Sequence, residues 1–289
     1  MKKAITLMLF ILPLSLSAQE IHEKIAMEIC NCIDTLENID SLEAKVDRCA
    51  YDAFDAVIEA SSDEVQEIYS TDDAVEQTMK KAMESLMVVC PKVRAFIINQ
   101  RKDLFYKSSA SEEANRLYES GNVAFGKEDY KGALALYLKA LKKDKEFVYA
   151  IDNTGLTYRK MGDNKKAMKY YLRSLGIYPE GSVALQNLAF VYSIEKDLKN
   201  ALTCYQKLAF FYPENPEGYL GIGKIYVVVG EYEEAMDYVF TAHRLYTATN
   251  SPYLKDSEEL ISIIYNKLKE ANKTEGFMKK AEEFGIHLN

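Results

Sequence analysis

Apolar residues recur at intervals of three and four along nearly the whole chain, the spacing that places side chains on one face of an α-helix. Between residues 20 and 107 this spacing predicts four helices. The first covers residues 21–33, the second and third follow Asp40 and Asp72, and the fourth begins at Pro91, which suits the first position of a helix. The sequence therefore predicts an all-helical N-terminal region.

A period of 34 residues dominates the next part of the chain. Four segments align without gaps, at residues 114–147, 148–181, 182–215 and 216–249. A small residue recurs in the first half of each segment, at Gly121, Gly155, Ala189 and Gly223. The second half carries Ala133, Ala167, Ala201 or Ala235, followed four residues later by Tyr137, Tyr171, Tyr205 or Val239. Small residues at both places predict two closely packed helices in each segment.

This pattern resembles the tetratricopeptide repeat (TPR) family over about 136 of the 289 residues. The resemblance implies that each segment forms two antiparallel helices and that the segments stack into a right-handed α-solenoid with an inner groove. The predicted fold class is all-α: a TPR-type solenoid over residues 111–249, preceded by a small disulfide-pinned helical domain over residues 19–107. We expect helices in residues 250–289 to cap the array.

The TPR resemblance also indicates candidate binding residues, because the inner groove of this family is lined by the first helix of each repeat. We expect asparagine amides to bind a peptide backbone and phenylalanine rings to hold its side chains. The expected groove residues are Tyr118, Asn122, Phe125, Asn153, Arg159, Gln186, Asn187, Phe190 and Lys224. The same helical faces carry Asn115, Tyr149, Asp152, Leu156, Val183, Ser193, Glu217, Leu220 and Gly221. The alternative is that the polar residues are simply solvated.

Residues 1–18 have the features of a secretory signal peptide. Lys2 and Lys3 precede an apolar stretch from Ala4 to Leu14, and small residues follow up to Ala18. The apolar stretch of about 11 residues is too short to span a membrane, which needs about 20. We therefore expect an exported protein, periplasmic or associated with the cell envelope, and soluble once the signal is removed. The alternative is an N-terminal membrane anchor.

Cysteine placement agrees with export. Cys30, Cys32, Cys49 and Cys90 lie in the N-terminal region, whereas Cys204 is far away. The first four predict two disulfides, and their spacing leaves all three connectivities open. A zinc site is the rival interpretation, but gaps of 17 and 41 residues are not typical of zinc-binding motifs.

Charge limits the range of partners. The chain carries 36 Lys and Arg against 44 Asp and Glu, a net charge of −8, and has no dense basic run. Nucleic acid is therefore not an expected partner, because phosphate binding requires clustered Lys and Arg. Residues 20–75 hold 16 acidic and 3 basic side chains. They form either solvated helix faces or a docking face for a basic partner.

Catalytic motifs are not evident in the sequence. It contains three histidines, no phosphate-binding glycine loop and no nucleophile or zinc-protease motif. Neither a cofactor nor a metal is predicted, and Cys204 is expected to be buried rather than reactive.

The function predicted from these features is an exported scaffold or adaptor that binds a peptide segment or partner protein in its groove, in a cell-envelope assembly. One alternative is a self-associating structural module whose groove is already filled. A less favoured one is an enzyme with an unrecognised site in the N-terminal domain. The sequence leaves the oligomeric state open.

Overall fold

The computed structural model describes residues 21–33, 39–69 and 71–286, in which all regular structure is α-helical. The predicted signal peptide lies outside the described residues. The chain divides into two compact units, one ending at Ile97 and the other beginning at Ile98. No helix in the described part of the chain is long and apolar enough to cross a membrane.

The N-terminal unit is built from helices of different lengths around one apolar core. Its helices are α1 (Ile21–Cys32), α2 (Ile39–Glu59), α3 (Asp63–Ile68), α4 (Asp72–Val89) and the first part of α5 (Pro91–Phe105). α1 packs against both α2 and α4. The short α3 was not predicted, although Ser62 before Asp63 and Glu64 is a typical helix start.

Two disulfides join the helices of this unit. Cys30 on α1 pairs with Cys90, between α4 and α5, and Cys32 at the end of α1 pairs with Cys49 on α2. The four predicted cysteines are thus at bonding distance in one of the three possible connectivities. Because the bridges close chain segments of 60 and 17 residues, they restrict the unfolded chain and stabilise a small core.

Within its described residues, up to 286, the second unit contains five helical hairpins. The first four are formed by α6 (Glu112–Gly126), α7 (Tyr130–Lys143), α8 (Val148–Lys160), α9 (Asn164–Ile177), α10 (Ser182–Ile194), α11 (Leu198–Phe211), α12 (Pro216–Val229) and α13 (Tyr232–Ala248). The fifth is formed by α14 (Leu254–Glu270) and α15 (Thr274–Glu283), which both pack against α13.

One backbone turn recurs in all five hairpins. A residue with positive φ lies between the two helices, at Glu128 (61°), Gly162 (80°), Lys196 (61°), Gly230 (87°) and Asn272 (58°). The next backbone N–H closes the turn, as Asp163 donates to the Tyr158 carbonyl at 2.9 Å and Lys273 to the Leu268 carbonyl at 2.8 Å. In the first three repeats an aspartate then caps the second helix.

The helix crossings explain the recurring small residues. Ala133, Ala167, Ala201 and Ala235 are all completely buried, as the repeat pattern predicted. A Cβ atom added at Gly121 would come within 2.5 Å of the Tyr137 ring, and one at Gly155 within 2.7 Å of the Tyr171 ring. These two tyrosines therefore need glycine on the facing helix.

The tyrosine of the third repeat also packs closely on a glycine, but on one in the next repeat. Ala189 replaces the glycine, and the Tyr205 ring instead packs on the next repeat, where a Cβ at Gly221 would lie 2.4 Å from it. Gly221 is thus a packing partner of Tyr205 rather than a residue open to a ligand.

The first helices of the repeats line the inner side of the array. Successive first helices from α8 through α10 and α12 to α14 contact one another directly. Closer approach on this side makes it the inner face of the stack, which is where the predicted binding residues lie.

Candidate functional site

The inner face has two edges. We call the side at the N-terminal ends of the first helices, next to the loops between repeats, the loop edge. It comprises Asn115, Tyr118, Glu119, Tyr149, Asp152, Asn153, Val183, Gln186, Asn187, Glu217, Leu220 and Gly221. The turn edge lies at the C-terminal ends and comprises Asn122, Phe125, Gly126, Leu156, Arg159, Lys160, Phe190, Ser193, Ile194, Lys224, Val227 and Val228.

The protein's own chain covers part of the loop edge. Tyr106, just after α5, donates its hydroxyl to Oδ2 of Asp152 at 2.6 Å. Tyr149 donates its hydroxyl to the Tyr106 carbonyl at 3.2 Å, and the two rings meet edge to face at 5.1 Å. The predicted inner-face residues Tyr149 and Asp152 therefore already have an intramolecular partner.

The end of α5 continues this contact along the loops between repeats. Phe105 stacks on Tyr178 at 5.3 Å, and the Tyr178 hydroxyl donates to the Ile98 carbonyl at 3.3 Å. Arg101 forms an ion pair with Glu180 at 3.3 Å. Residues 98–106 thus lie against the second repeat as a cis-acting segment, which we call the strap.

Asp152 is the most perturbed carboxyl group of this contact. Its side chain is almost completely buried, and burial raises its pKa to about 6, although the nearby Ser174 and Tyr106 hydroxyls favour the charged form. Burial and the adjacent carboxylate in turn hold the pKa of Tyr106 well above its usual range. At neutral pH the pair is a phenol donating to a buried carboxylate.

The predicted asparagines are also engaged within the protein. Asn153 donates its Nδ2 to the Tyr118 hydroxyl at 3.1 Å and to Oδ1 of Asn122 at 3.0 Å. The same Asn122 oxygen accepts the Tyr137 hydroxyl at 2.8 Å. Asn187 donates to the carbonyl of Val183, one turn earlier in its own helix, at 2.8 Å. These amides stabilise the array, which reduces their capacity to bind a peptide backbone.

The turn edge is different because its apolar side chains remain exposed. Phe190 is 44% exposed, Ile194 50% and Val228 70%. The Arg159 guanidinium lies 4.8 Å from the centre of the Phe190 ring, within the range of a cation–π contact. Lys224 is also exposed and lies 3.9 Å from Asp256 on α14. Arg159 and Phe190 are therefore predicted residues that the structure brings together on an accessible surface, and Lys224 is exposed on the neighbouring first helix.

The other predicted groove residues offer less accessible surface to a ligand. Phe125 packs edge to face on Tyr130 at 5.3 Å, and Gln186 is half-buried. Sequence reasoning missed Lys160, Ile194 and Val228. These three residues are spaced 34 apart and come directly after Arg159 and its equivalents in the next two repeats. Including one more residue along each first helix would have found them.

The surroundings of the described thiol and histidine side chains in the second unit favour a structural role. Cys204 is buried, which raises the pKa of its thiol to about 11 and keeps it protonated. His243 is half-buried on α13, 3.1 Å from the Ser257 hydroxyl, and burial lowers the pKa of its ring. Within the described residues, no group of three or more His, Cys, Asp or Glu side chains could hold a metal ion.

Comparison with known proteins identifies the repeat. Residues 150–180 match the tetratricopeptide repeat family model. A solved structure of MamA, from residue 41 to its end, of Desulfovibrio magneticus RS-1 superimposes with a TM-score of 0.50 at 17% identity, covering 60% of this chain and 96% of that one. No curated protein sequence matches the chain significantly.

Two further solved structures are similar in part. A tetratricopeptide repeat protein from Parabacteroides merdae gives a TM-score of 0.44 at 18% identity, covering 60% of this chain and 79% of that one. A thermophilic TPR protein from Thermus thermophilus gives 0.41 at 17% identity, covering 59% and 89%. The family match and the MamA superposition agree with the recurring turn and crossing geometry. Residues 112–248 thus form a tetratricopeptide-repeat solenoid.

Proposed function

We propose that this protein is an exported scaffold that holds a segment of a partner protein against the turn edge of its TPR array. One observation carries the proposal: the turn edge exposes a row of apolar side chains on the inner face, whereas the strap covers part of the loop edge. The mechanism is recognition by shape and burial, with no bond made or broken.

Exposed apolar side chains scattered singly over a surface need no explanation. Phe190 and Val228 are different because they lie on successive first helices, on the side where those helices approach one another. A segment laid across them would bury apolar surface on several repeats at once, each Å² contributing about 25 cal/mol. This arrangement favours an extended ligand over a small molecule.

Export is the second part of the proposal. The sequence of residues 1–18 and the two cysteine pairs at bonding distance support it, because disulfides persist in oxidising compartments. Mass measurement of the mature protein without reduction tests it. We expect a chain that begins near Gln19 and contains two bridges. An intact N-terminus with four free thiols would exclude this part of the proposal.

Site-specific photocrosslinking in the native compartment tests the binding role. A photoreactive residue at Ile194 should crosslink to a partner protein, and the crosslink should be lost in a Phe190→Ala/Val228→Ala variant. The matched control is Leu172→Ala/Met278→Ala, which truncates two exposed apolar residues on second helices. Equal crosslinking in all three proteins would rule out the turn edge as the binding surface.

A self-associating module is a second candidate, favoured by the strap. This segment shows that the inner face already accepts a piece of the same sequence. In the self-associating case a second copy would supply the segment for the turn edge. Sedimentation velocity over a hundredfold concentration range separates the two, because only self-association makes the sedimentation coefficient rise with concentration.

A further inference from the structure

The charge of the turn edge is opposite to that of the chain. Its twelve residues include three cations, Arg159, Lys160 and Lys224, and no acidic residue. The rest of the chain therefore carries a net charge of −11. Two carboxylates lie close by: Asp256 is 3.9 Å from Lys224, and Glu195 accepts a hydrogen bond from Asn164 at 2.8 Å. A cationic, apolar row is thus set in an acidic protein.

Arg159 is held in place without a carboxylate partner. Its guanidinium stacks on Phe190, and it lies close enough to the buried Tyr171 hydroxyl to oppose the rise that burial causes in the pKa of that tyrosine. Its Nε is buried, and within the described residues it has no hydrogen-bond acceptor. Neither Arg159 nor Lys160 forms an ion pair with any described residue. A fixed guanidinium of this kind matches the planar geometry of a carboxylate.

We infer that the ligand of the turn edge is an extended, anionic segment of another protein that carries apolar side chains between its carboxylates. The apolar side chains would cover Phe190, Ile194 and Val228. Carboxylates on one side would meet Arg159 and Lys160, and one on the other side would meet Lys224. The inference rests on the proposed function and adds the chemical class of the ligand.

The spacing of the cations sets the length of this segment. Arg159 and Lys224 lie on first helices two repeats apart, and packed helices are separated by about 8–10 Å. The two groups are therefore about 16–20 Å apart across the face. An extended chain advances about 3.4 Å per residue, so about five or six residues separate the two acidic positions.

Fluorescence anisotropy with synthetic peptides tests the inference on the full-length mature protein. The probe is a labelled ten-residue peptide, capped at both ends, with two aspartates near each end and two leucines in the middle. One control peptide replaces the aspartates with lysines, and another replaces the leucines with serines. We expect the first peptide to bind at least tenfold more tightly than either control, and its affinity to fall as salt rises from 50 to 300 mM.

Charge variants assign the contact to the turn edge. Lys160→Glu and Lys224→Glu change exposed residues and should each weaken binding of the acidic peptide about tenfold. The matched control, Lys139→Ala/Lys169→Ala, removes two exposed lysines from second helices and should leave affinity unchanged. Circular dichroism verifies that every variant is folded.

Three outcomes would overturn the inference. Tighter binding of the lysine peptide, equal binding of the serine peptide, or equal loss of affinity in the control variant would each do so. The proposed function fails separately. If no synthetic peptide binds but the crosslink at Ile194 persists and depends on Phe190 and Val228, the scaffold proposal stands and the ligand class is wrong.

Discussion

At the loop edge Tyr106 of the strap covers Asp152 on α8, whereas at the turn edge Phe190 on α10 and Val228 on α12 remain open to solvent. Each edge is built from positions that recur in every repeat, so the repeat alone does not decide which residues are available. The chain that precedes the array makes that decision, because it supplies the tyrosine and the helix end that pack on the loops. Availability of an inner face therefore depends on the flanking sequence as much as on the repeats.

From the comparison of the two edges we expect the largest loss of stability when the strap is changed. Tyr106→Ala removes a ring packed on Tyr149 and Tyr178 and leaves the buried Asp152 carboxylate without its 2.6 Å donor. We expect the free energy of unfolding to fall by about 3 kcal/mol. Urea unfolding followed by tyrosine fluorescence measures it, because 16 of the 21 tyrosines lie between residues 114 and 249 and the chain has no tryptophan.

The matched control for this experiment lies two residues earlier. Leu104 is in the last turn of α5, just before Tyr106, but is 60% exposed, so Leu104→Ala should change the free energy of unfolding by less than about 0.5 kcal/mol. If the two variants were equally stable, the strap would be no more than a surface contact, and the two edges would be equally open.

The second effect depends on pH. The pKa of Asp152 is about 6 in the folded protein and near its ordinary value of about 3.9 in the unfolded chain. The folded state therefore holds this proton more tightly, and its contribution to the free energy of unfolding is lost as pH rises from about 4 to about 6. Asp152→Asn removes the charge but keeps an acceptor for Tyr106. We expect this variant to be about 1–3 kcal/mol more stable than wild type at pH 7.5 and equally stable at pH 4.

Thermal or urea unfolding at several pH values checks this expectation. The difference between the two proteins should grow between pH 4 and 6 and be constant above pH 6.5. A variant that is less stable at pH 7.5 would show that the Tyr106 phenol and its neighbours compensate the buried charge fully, in contrast to the raised pKa.

A smaller effect is expected at the loop between the second and third repeats. Tyr178→Phe keeps the ring that stacks on Phe105 but removes the hydroxyl, which bonds the Ile98 carbonyl at 3.3 Å and the Tyr212 hydroxyl at 3.2 Å. We expect a loss of about 1 kcal/mol in the free energy of unfolding. Tyr253→Phe is the control, since Tyr253 is 57% exposed. An unchanged Tyr178→Phe variant would mean that the strap is held by ring packing alone.

Much of the array could be predicted from the sequence because each repeat depends on local spacing. The 34-residue period determines where Ala133 and its equivalents are buried and where the positive-φ turns fall. The fifth hairpin was expected only as capping helices, because its turn at Asn272 comes 42 residues after Gly230 and an alignment without gaps does not reach it.

The availability of the site could not be predicted in the same way. Tyr106 and Asp152 are 46 residues apart, and Tyr106 lies outside the repeats, so no periodic pattern links them. In the asparagine network, Asn153 donates to Tyr118 of the preceding repeat, and the period places the two residues near each other without determining which side chains bond. The choice among three disulfide connectivities also depends on how α1 packs on α2 and α4, which the cysteine spacing does not contain.

The smallest effect is expected at the turn edge itself. Val228 is 70% exposed, so only about a third of its surface is buried and Val228→Ala removes few contacts. The substitution also gains about 0.5 kcal/mol in helix propensity. The free energy of unfolding should therefore stay within about 0.5 kcal/mol of wild type in the urea experiment. Val191→Ala provides the contrast, since Val191 is completely buried on the neighbouring first helix and its truncation should cost about 2 kcal/mol. Equal losses in the two variants would mean that Val228 is packed inside the protein in solution, and the turn edge would then be closed like the loop edge.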